Sequence, residues 1–210
     1  DYALEQGVNF FDTAEMYSVP ARKETYGSTE RILGTWFQKT GNRDKVVLAS
    51  KIAGPNPNFT YMREKNDFSP ASIQYALDKS LERLQTDYID LYQLHWPERK
   101  TNFFGQRGFK VQDDAWEDNI HAVLETLNGF IQQGKIKHIG LSNETPWGIM
   151  RFLEESKYHN LPRIKTVQNP YSLLNRLYEN GSAEIGIREN VGLLAYSPMA
   201  FGVLSGNFLM

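Results

Sequence analysis

Residues 134–143 read Gly134-Lys135-Ile136-Lys137-His138-Ile139-Gly140-Leu141-Ser142-Asn143, a helix stop followed at once by a strand. A glycine at the end of a helical period favours the left-handed conformation that caps a helix. The strand from Lys135 to Leu141 then starts without a linker, the short connection typical of α/β units. The same succession extends in both directions. Short β-branched and aromatic runs lie at about 8–12, 46–51, 88–95, 136–142, 165–168 and 192–197. Helix-period segments at about 28–40, 69–84, 119–133, 145–159 and 182–190 fall between them. In the clearest of these, Ser69-Pro70 supplies a capping hydroxyl and a first-turn proline, and Ile73, Leu77, Ser80, Leu81 and Leu84 share one face. Asn180-Gly181 reads as a turn before the last helix.

Strict alternation implies parallel strands joined by crossover helices, either an open doubly wound sheet or a (β/α)8 barrel. A dinucleotide-binding open sheet should carry G-x-G-x-x-G after its first strand, and no such run occurs, which favours the barrel. The fold expected is therefore α/β, an incomplete (β/α)8 TIM barrel with about six of its eight units present. Residues 1–210 are read as one partial barrel domain. The ends suit that reading. Asp1 opens inside a helical run, Tyr2-Ala3-Leu4 with Gly7 as its stop, and the chain closes on the apolar group Phe208-Leu209-Met210, so truncation at both ends is expected.

Of the 210 residues, 40% are hydrophobic and 23% charged, enough for one sizeable core. The net charge of −2 is spread over interleaved acids and bases, so nucleic acid is not an expected partner. Apolar runs fall far short of the roughly 18 to 20 residues of a membrane span. With no cysteine, disulfides, thiolate metal sites and cysteine nucleophiles are excluded. His121, His138 and His159 show no ligand spacing, and no metal site is expected.

Polar residues gather where each strand ends: Asp12, Lys51, His95, Ser142-Asn143, Gln168-Asn169 and Tyr196-Ser197. In a barrel those ends converge on one face, where the fold places its active sites. Singly, each has a plain structural reading: Lys51 a solvated charge, Asp12 a helix cap, His95 a satisfied core histidine. Together, Asp, Tyr, Lys and His form a coherent set for carbonyl reduction. A tyrosine hydroxyl supplies the proton if its pKa, about 10 unperturbed, is lowered by a nearby ammonium. Lys51 fits the ammonium, Asp12 the carboxylate that orients it, and neutral His95 a hydrogen-bonding partner for the substrate oxygen.

Asn9-Phe10-Phe11-Asp12-Thr13-Ala14-Glu15-Met16-Tyr17 resembles the aldo-keto reductase signature around the catalytic Asp and Tyr. Val46-Val47-Leu48-Ala49-Ser50-Lys51 resembles that family's lysine strand, and the run from Asp87 to Trp96 its histidine strand. The resemblance implies an NAD(P)H-dependent oxidoreductase with Asp12, Tyr17, Lys51 and His95 as catalytic residues. It further implies that Ser142, Asn143 and Gln168 hold the nicotinamide carboxamide and that the ring stacks on Tyr196. Ser197, Pro198, Gly202 and Leu204 would lie along the pyrophosphate, and Trp96 beside the substrate. The implied cofactor is NADPH, with NADH an open alternative, and the implied partner a small-molecule carbonyl compound in the cytoplasm. Ala14 to Pro20, His95-Trp96-Pro97, Asn102 to Gly105 and Gln168 to Arg176 resemble the Tas-like branch. A second reading from the same resemblance is a non-catalytic, cofactor-binding subunit like the potassium-channel β-subunits. The loop from Trp96 to Asp118 carries Trp96, Phe103, Phe104, Phe109 and Trp116, which either wall an apolar pocket or pin the loop down.

Overall fold

The computed structural model describes residues 1–111 and 113–207; the group at 208–210 lies outside them. Its elements are α1 (Tyr2–Glu5), β1 (Phe10–Asp12), α2 (Ser28–Thr40), β2 (Val47–Ile52), α3 (Pro70–Leu84), β3 (Ile89–Leu94), α4 (Ile120–Gln132), β4 (Ile136–Ser142), α5 (Pro146–His159), β5 (Ile164–Pro170), α6 (Ser182–Arg188) and β6 (Gly192–Tyr196). The strands form one sheet in the order β1-β2-β3-β4-β5-β6, every neighbouring pair parallel. Six parallel strands with helices between them curl into part of a (β/α)8 barrel.

The local chemistry explains the boundaries. Ser69 Oγ accepts from the Ser72 N–H ahead of Pro70, and Thr145 Oγ1 accepts from the Gly148 N–H ahead of Pro146. At the end of α4, Gly134 has φ +74°, and the Lys135 N–H donates to Phe130 O at 3.0 Å, the glycine stop that the sequence announces. β1 starts at Phe10 rather than near residue 8 because the Val8 N–H is used to close α1, donating to Ala3 O at 2.9 Å. β5 runs on to Pro170 because its ladder with β6 continues through Asn169↔Ala195 and Pro170↔Tyr196.

The helix-facing side of the sheet, with Leu48, Ile52, Tyr92, Leu94, Ile139, Leu141 and Val167, packs on Ile73, Leu77, Leu124, Phe130, Ile149 and Phe152 of the helices. The concave side differs. Register places Lys51 beside Gln93, Gln93 beside Gly140 and Gly140 beside Thr166, one row across four strands. A Cβ on Gly140 would lie 2.6 Å from Thr166 Oγ1, so glycine leaves room for the polar side chains of that row. Among the described residues, no helix is long and apolar enough to cross a membrane.

Candidate active site at the carboxyl ends of the strands

Asp12 ends β1, Lys51 lies near the end of β2, His95 follows β3 directly, and Tyr17 sits on the loop after β1. The structure brings all four together. Lys51 is fully buried, and its ammonium donates to Asp12 Oδ2 at 2.5 Å and to Thr13 O at 2.8 Å. The other carboxylate oxygen of Asp12 accepts from Gln93 Nε2 and Gln168 Nε2, each at 3.1 Å. The last bond measures the curl. At about 4.8 Å per strand step, β1 and β5 in a flat sheet would be about 19 Å apart, beyond the reach of a glutamine and an aspartate.

The Tyr17 ring lies 5.1 Å from Lys51 Nζ and meets the His95 ring edge-on, centroids 5.7 Å apart. Its hydroxyl has no hydrogen-bond partner among the described residues. The Tyr17 phenol is pushed up to about 12, by burial first and the Asp12 carboxylate second. This corrects the expectation that Lys51 lowers it. The ammonium is neutralised at contact by Asp12, so burial decides the sign. Burial also draws the Lys51 ammonium down, against the pull of Asp12. His95 is pushed well below the ordinary imidazole range by burial and then by Lys51, a shift that favours the neutral ring. Its Nδ1 is buried without a partner among the described residues.

A second row continues across β4, β5 and β6. Ser142 Oγ donates to Gln168 O at 2.9 Å and accepts from Asn143 Nδ2 at 3.2 Å. Asn143 Nδ2 also reaches His95 O at 3.0 Å, and Asn143 Oδ1 accepts from the Tyr196 hydroxyl at 2.7 Å. Ser142, Asn143, Gln168 and Tyr196 are therefore linked to each other and to the Asp12–His95 group. Beyond β6 the backbone turns through left-handed conformations at Ser197, Ala200, Phe201 and Gly202. Gly202 and Leu204 are half-buried there and Pro198 is exposed. Tyr196, Ser197, Ala200 and Phe201 line a cleft of about 300 Å³ with Phe104 and Pro170.

Trp96 is only 4% exposed: its indole N–H donates to Pro55 O at 3.2 Å, and its ring packs 5.0 Å from that of His95. The loop aromatics divide. Trp96, Phe103 and Trp116 pack into apolar clusters and anchor the loop, whereas Phe104 and Phe109 are largely exposed and line open clefts. Arg99, on the same loop, forms a buried pair with Glu144 next to Asn143.

The sequence reading gave no role to Gln93 or Thr13, yet both bond directly to the Lys51–Asp12 pair. Gln93 stands two residues before His95, on the same face of its strand, and that alternation was the available signal. Glu15 was likewise passed over; it is fully buried, accepts from Arg63 Nη1 at 2.6 Å and the Ala53 N–H at 2.7 Å, and braces the loop that carries Tyr17.

A family model described as the Aldo/keto reductase family matches residues 1–209. Protein tas of Escherichia coli (strain K12) is 50% identical over 210 residues, which is 100% of this chain and 61% of that protein. Uncharacterized oxidoreductase YrpG of Bacillus subtilis (strain 168) is 36% identical over 214 residues, covering 100% of this chain and 59% of that protein. Aldo-keto reductase yakc (NADP(+)) of Schizosaccharomyces pombe is 29% identical over 208 residues, covering 99% of this chain and 53% of that protein. The chain thus spans about three fifths of the tas protein, and that likeness fits the branch read from the sequence. Matched over nearly its whole length by the family model, the chain belongs to the aldo/keto reductase family.

Proposed function

We propose that the protein carrying this chain is an NAD(P)H-dependent oxidoreductase that reduces aldehyde or ketone carbonyls to alcohols, with Tyr17 as the proton donor. The observation that carries the proposal is the uncommitted Tyr17 hydroxyl beside a neutral His95 and the Lys51–Asp12 pair. Oxidoreductase names among the relatives support the reaction class, and NADP(+) in one of them supports the cofactor.

The residues present fit a nicotinamide cofactor. Hydroxyl and amide groups of Ser142, Asn143 and Gln168 supply donors and acceptors for a carboxamide, and Tyr196 presents a ring at the wall of a cleft. The left-handed turn through Ser197, Ala200 and Gly202 is of the kind whose amides line anion-binding concavities, so Ser197, Pro198, Gly202 and Leu204 are assigned to the phosphate side. When bound, a reduced nicotinamide supplies the hydride. The chain's own residues then manage the oxygen. Neutral His95 orients the carbonyl, and Tyr17 gives its proton to the oxygen as negative charge develops there. Lys51, 5.1 Å from the Tyr17 ring, offsets only part of the burial cost of the phenolate left behind, and Asp12, with Gln93 and Gln168, holds Lys51 in place. Trp96 backs His95 and so bounds the substrate side. A cytoplasmic location, implied by the family resemblance, is part of the same proposal.

The test is steady-state oxidation of NADPH by the full-length protein with a panel of aldehydes and quinones. Tyr17→Phe keeps the ring and removes the hydroxyl, so kcat should fall by about 10²–10⁴-fold with cofactor affinity little changed. Reduction at close to the wild-type rate would move the donor to His95. Tight cofactor binding with no turnover in the unaltered protein would favour the non-catalytic binding subunit instead.

A further inference from the structure

On the outer helix layer, two helices bring together side chains that lie more than thirty residues apart in sequence. His121 stands in the first turn of α4, and Glu155 and His159 stand one turn apart near the end of α5. His121 Nδ1 lies 3.1 Å from Glu155 Oε2, and His159 Nε2 lies 3.3 Å from the same oxygen. The three ligand atoms all fall within 4.8 Å of one another. We propose that His121, Glu155 and His159 form a binding site for a divalent d-block cation of the zinc class.

The spacing supports this. Zinc takes nitrogen and carboxylate oxygen at about 2.0–2.1 Å, which in a tetrahedron sets neighbouring ligand atoms about 3.4 Å apart. Two of the three separations already lie near that value, and the third, within 4.8 Å, closes toward it as the rings turn onto the cation. Imidazole and carboxylate ligands also suit zinc, copper and nickel better than calcium or magnesium. The surroundings supply what ligating groups need. Glu125 Oε1 lies 3.5 Å from His121 Nε2, where a carboxylate fixes the tautomer of a ligating imidazole and leaves Nδ1 for the metal. Arg151 occupies the other oxygen of Glu155 at 2.6 Å, which leaves Oε2 facing the two rings. The charge of that guanidinium is offset by Asp118 at 2.9 Å and Glu154 at 3.5 Å as well as by Glu155. Asp118 also caps the start of α4 through the Ile120 N–H, so the same acid ties the first turn of α4 to α5 and fixes His121 opposite its partners.

Three protein ligands leave one tetrahedral position for water. A cation bound there would cross-link α4 to α5. None of the three residues belongs to the group gathered around Asp12, Lys51 and His95, so the cluster on α4 and α5 is distinct from the candidate active site. The plain alternative is a pair of surface histidines hydrogen-bonded to Glu155.

Zinc titration of the chelator-treated, full-length protein by calorimetry separates the two. The expected result is one equivalent bound at micromolar zinc, with a rise in the thermal midpoint. His121→Ala or His159→Ala should abolish it, whereas Glu125→Gln should weaken it by about 10–100-fold. His138→Ala, which alters a histidine outside the cluster, should leave it intact. Cobalt gives a readout that needs no variant: tetrahedral absorption bands should appear at one equivalent. Zinc binding unchanged in His121→Ala, or no tetrahedral cobalt spectrum in the unaltered protein, overturns the proposal.

Discussion

Burial holds the Tyr17 phenol near 12, which makes oxidation depend on pH where reduction does not. A raised pKa favours the protonated form, so in reduction the donor is fully loaded at neutral and mildly alkaline pH. Oxidation needs the phenolate, whose fraction rises tenfold per pH unit below the pKa. In the oxidation direction, log kcat should therefore climb with pH from about 7 to about 10, while reduction shows no loss from Tyr17 ionisation. Initial-rate profiles in both directions check this, and a plateau already reached near neutrality would show that Lys51 governs the phenol after all. The sequence was informative about these residues because Asp12, Tyr17, Lys51 and His95 sit in recognisable runs at strand ends. Gln93 was hidden because its importance depends on its register beside Lys51, a relation between two strands. The His121–Glu155–His159 cluster was hidden for a similar reason, since its ligands come from two helices and only one pair shows the four-residue step.

Helices α2 and α3 cross in close backbone contact. A Cβ on Gly34 would lie 2.3 Å from Arg83 O and 2.7 Å from Leu84 C, backbone atoms that cannot swing aside. Gly34→Ala gains up to about 1 kcal/mol of helix propensity but pushes the helices apart, an overpacking cost of about 1–3 kcal/mol. The cost should prevail, lowering the urea midpoint. Gly129 offers the contrast, an α4 position where an added Cβ meets nothing within 4 Å, and Gly129→Ala should stabilise by about 0.5–1 kcal/mol. Equal effects from the two substitutions would contradict this reading of the helix crossing. Element positions were legible because capping chemistry is local: Ser69-Pro70 and Gly134 do what their types predict. The ends that shifted, at β1 and β5, are set by hydrogen bonds to other segments, which periodicity does not record.

Across the whole molecule, strict alternation of strand and helix was enough to read a parallel, curled sheet. The choice between open sheet and barrel rested on a missing glycine motif, and the Asp12–Gln168 bond now supplies the curvature directly. β1 and β6 form the edges of the six-stranded sheet, and Val8, Phe10 and Phe201 are exposed near them. Open parallel edges with apolar neighbours pair with other chains. Residues 1–210 expressed alone should therefore self-associate and bind NADPH weakly, as size-exclusion chromatography and a fluorescence titration would report. A soluble monomer with cooperative unfolding and micromolar NADPH affinity would contradict that. The Asp12 carboxylate carries a further consequence for reading any such experiment. Its donors come from β2, β3 and β5, so it acts as a tie rod across a curved wall. Cutting the rod lets the wall relax. An inactive Asp12 variant thus reports a change of shape before it reports anything about proton transfer, and its sheet must be shown intact before its chemistry is interpreted.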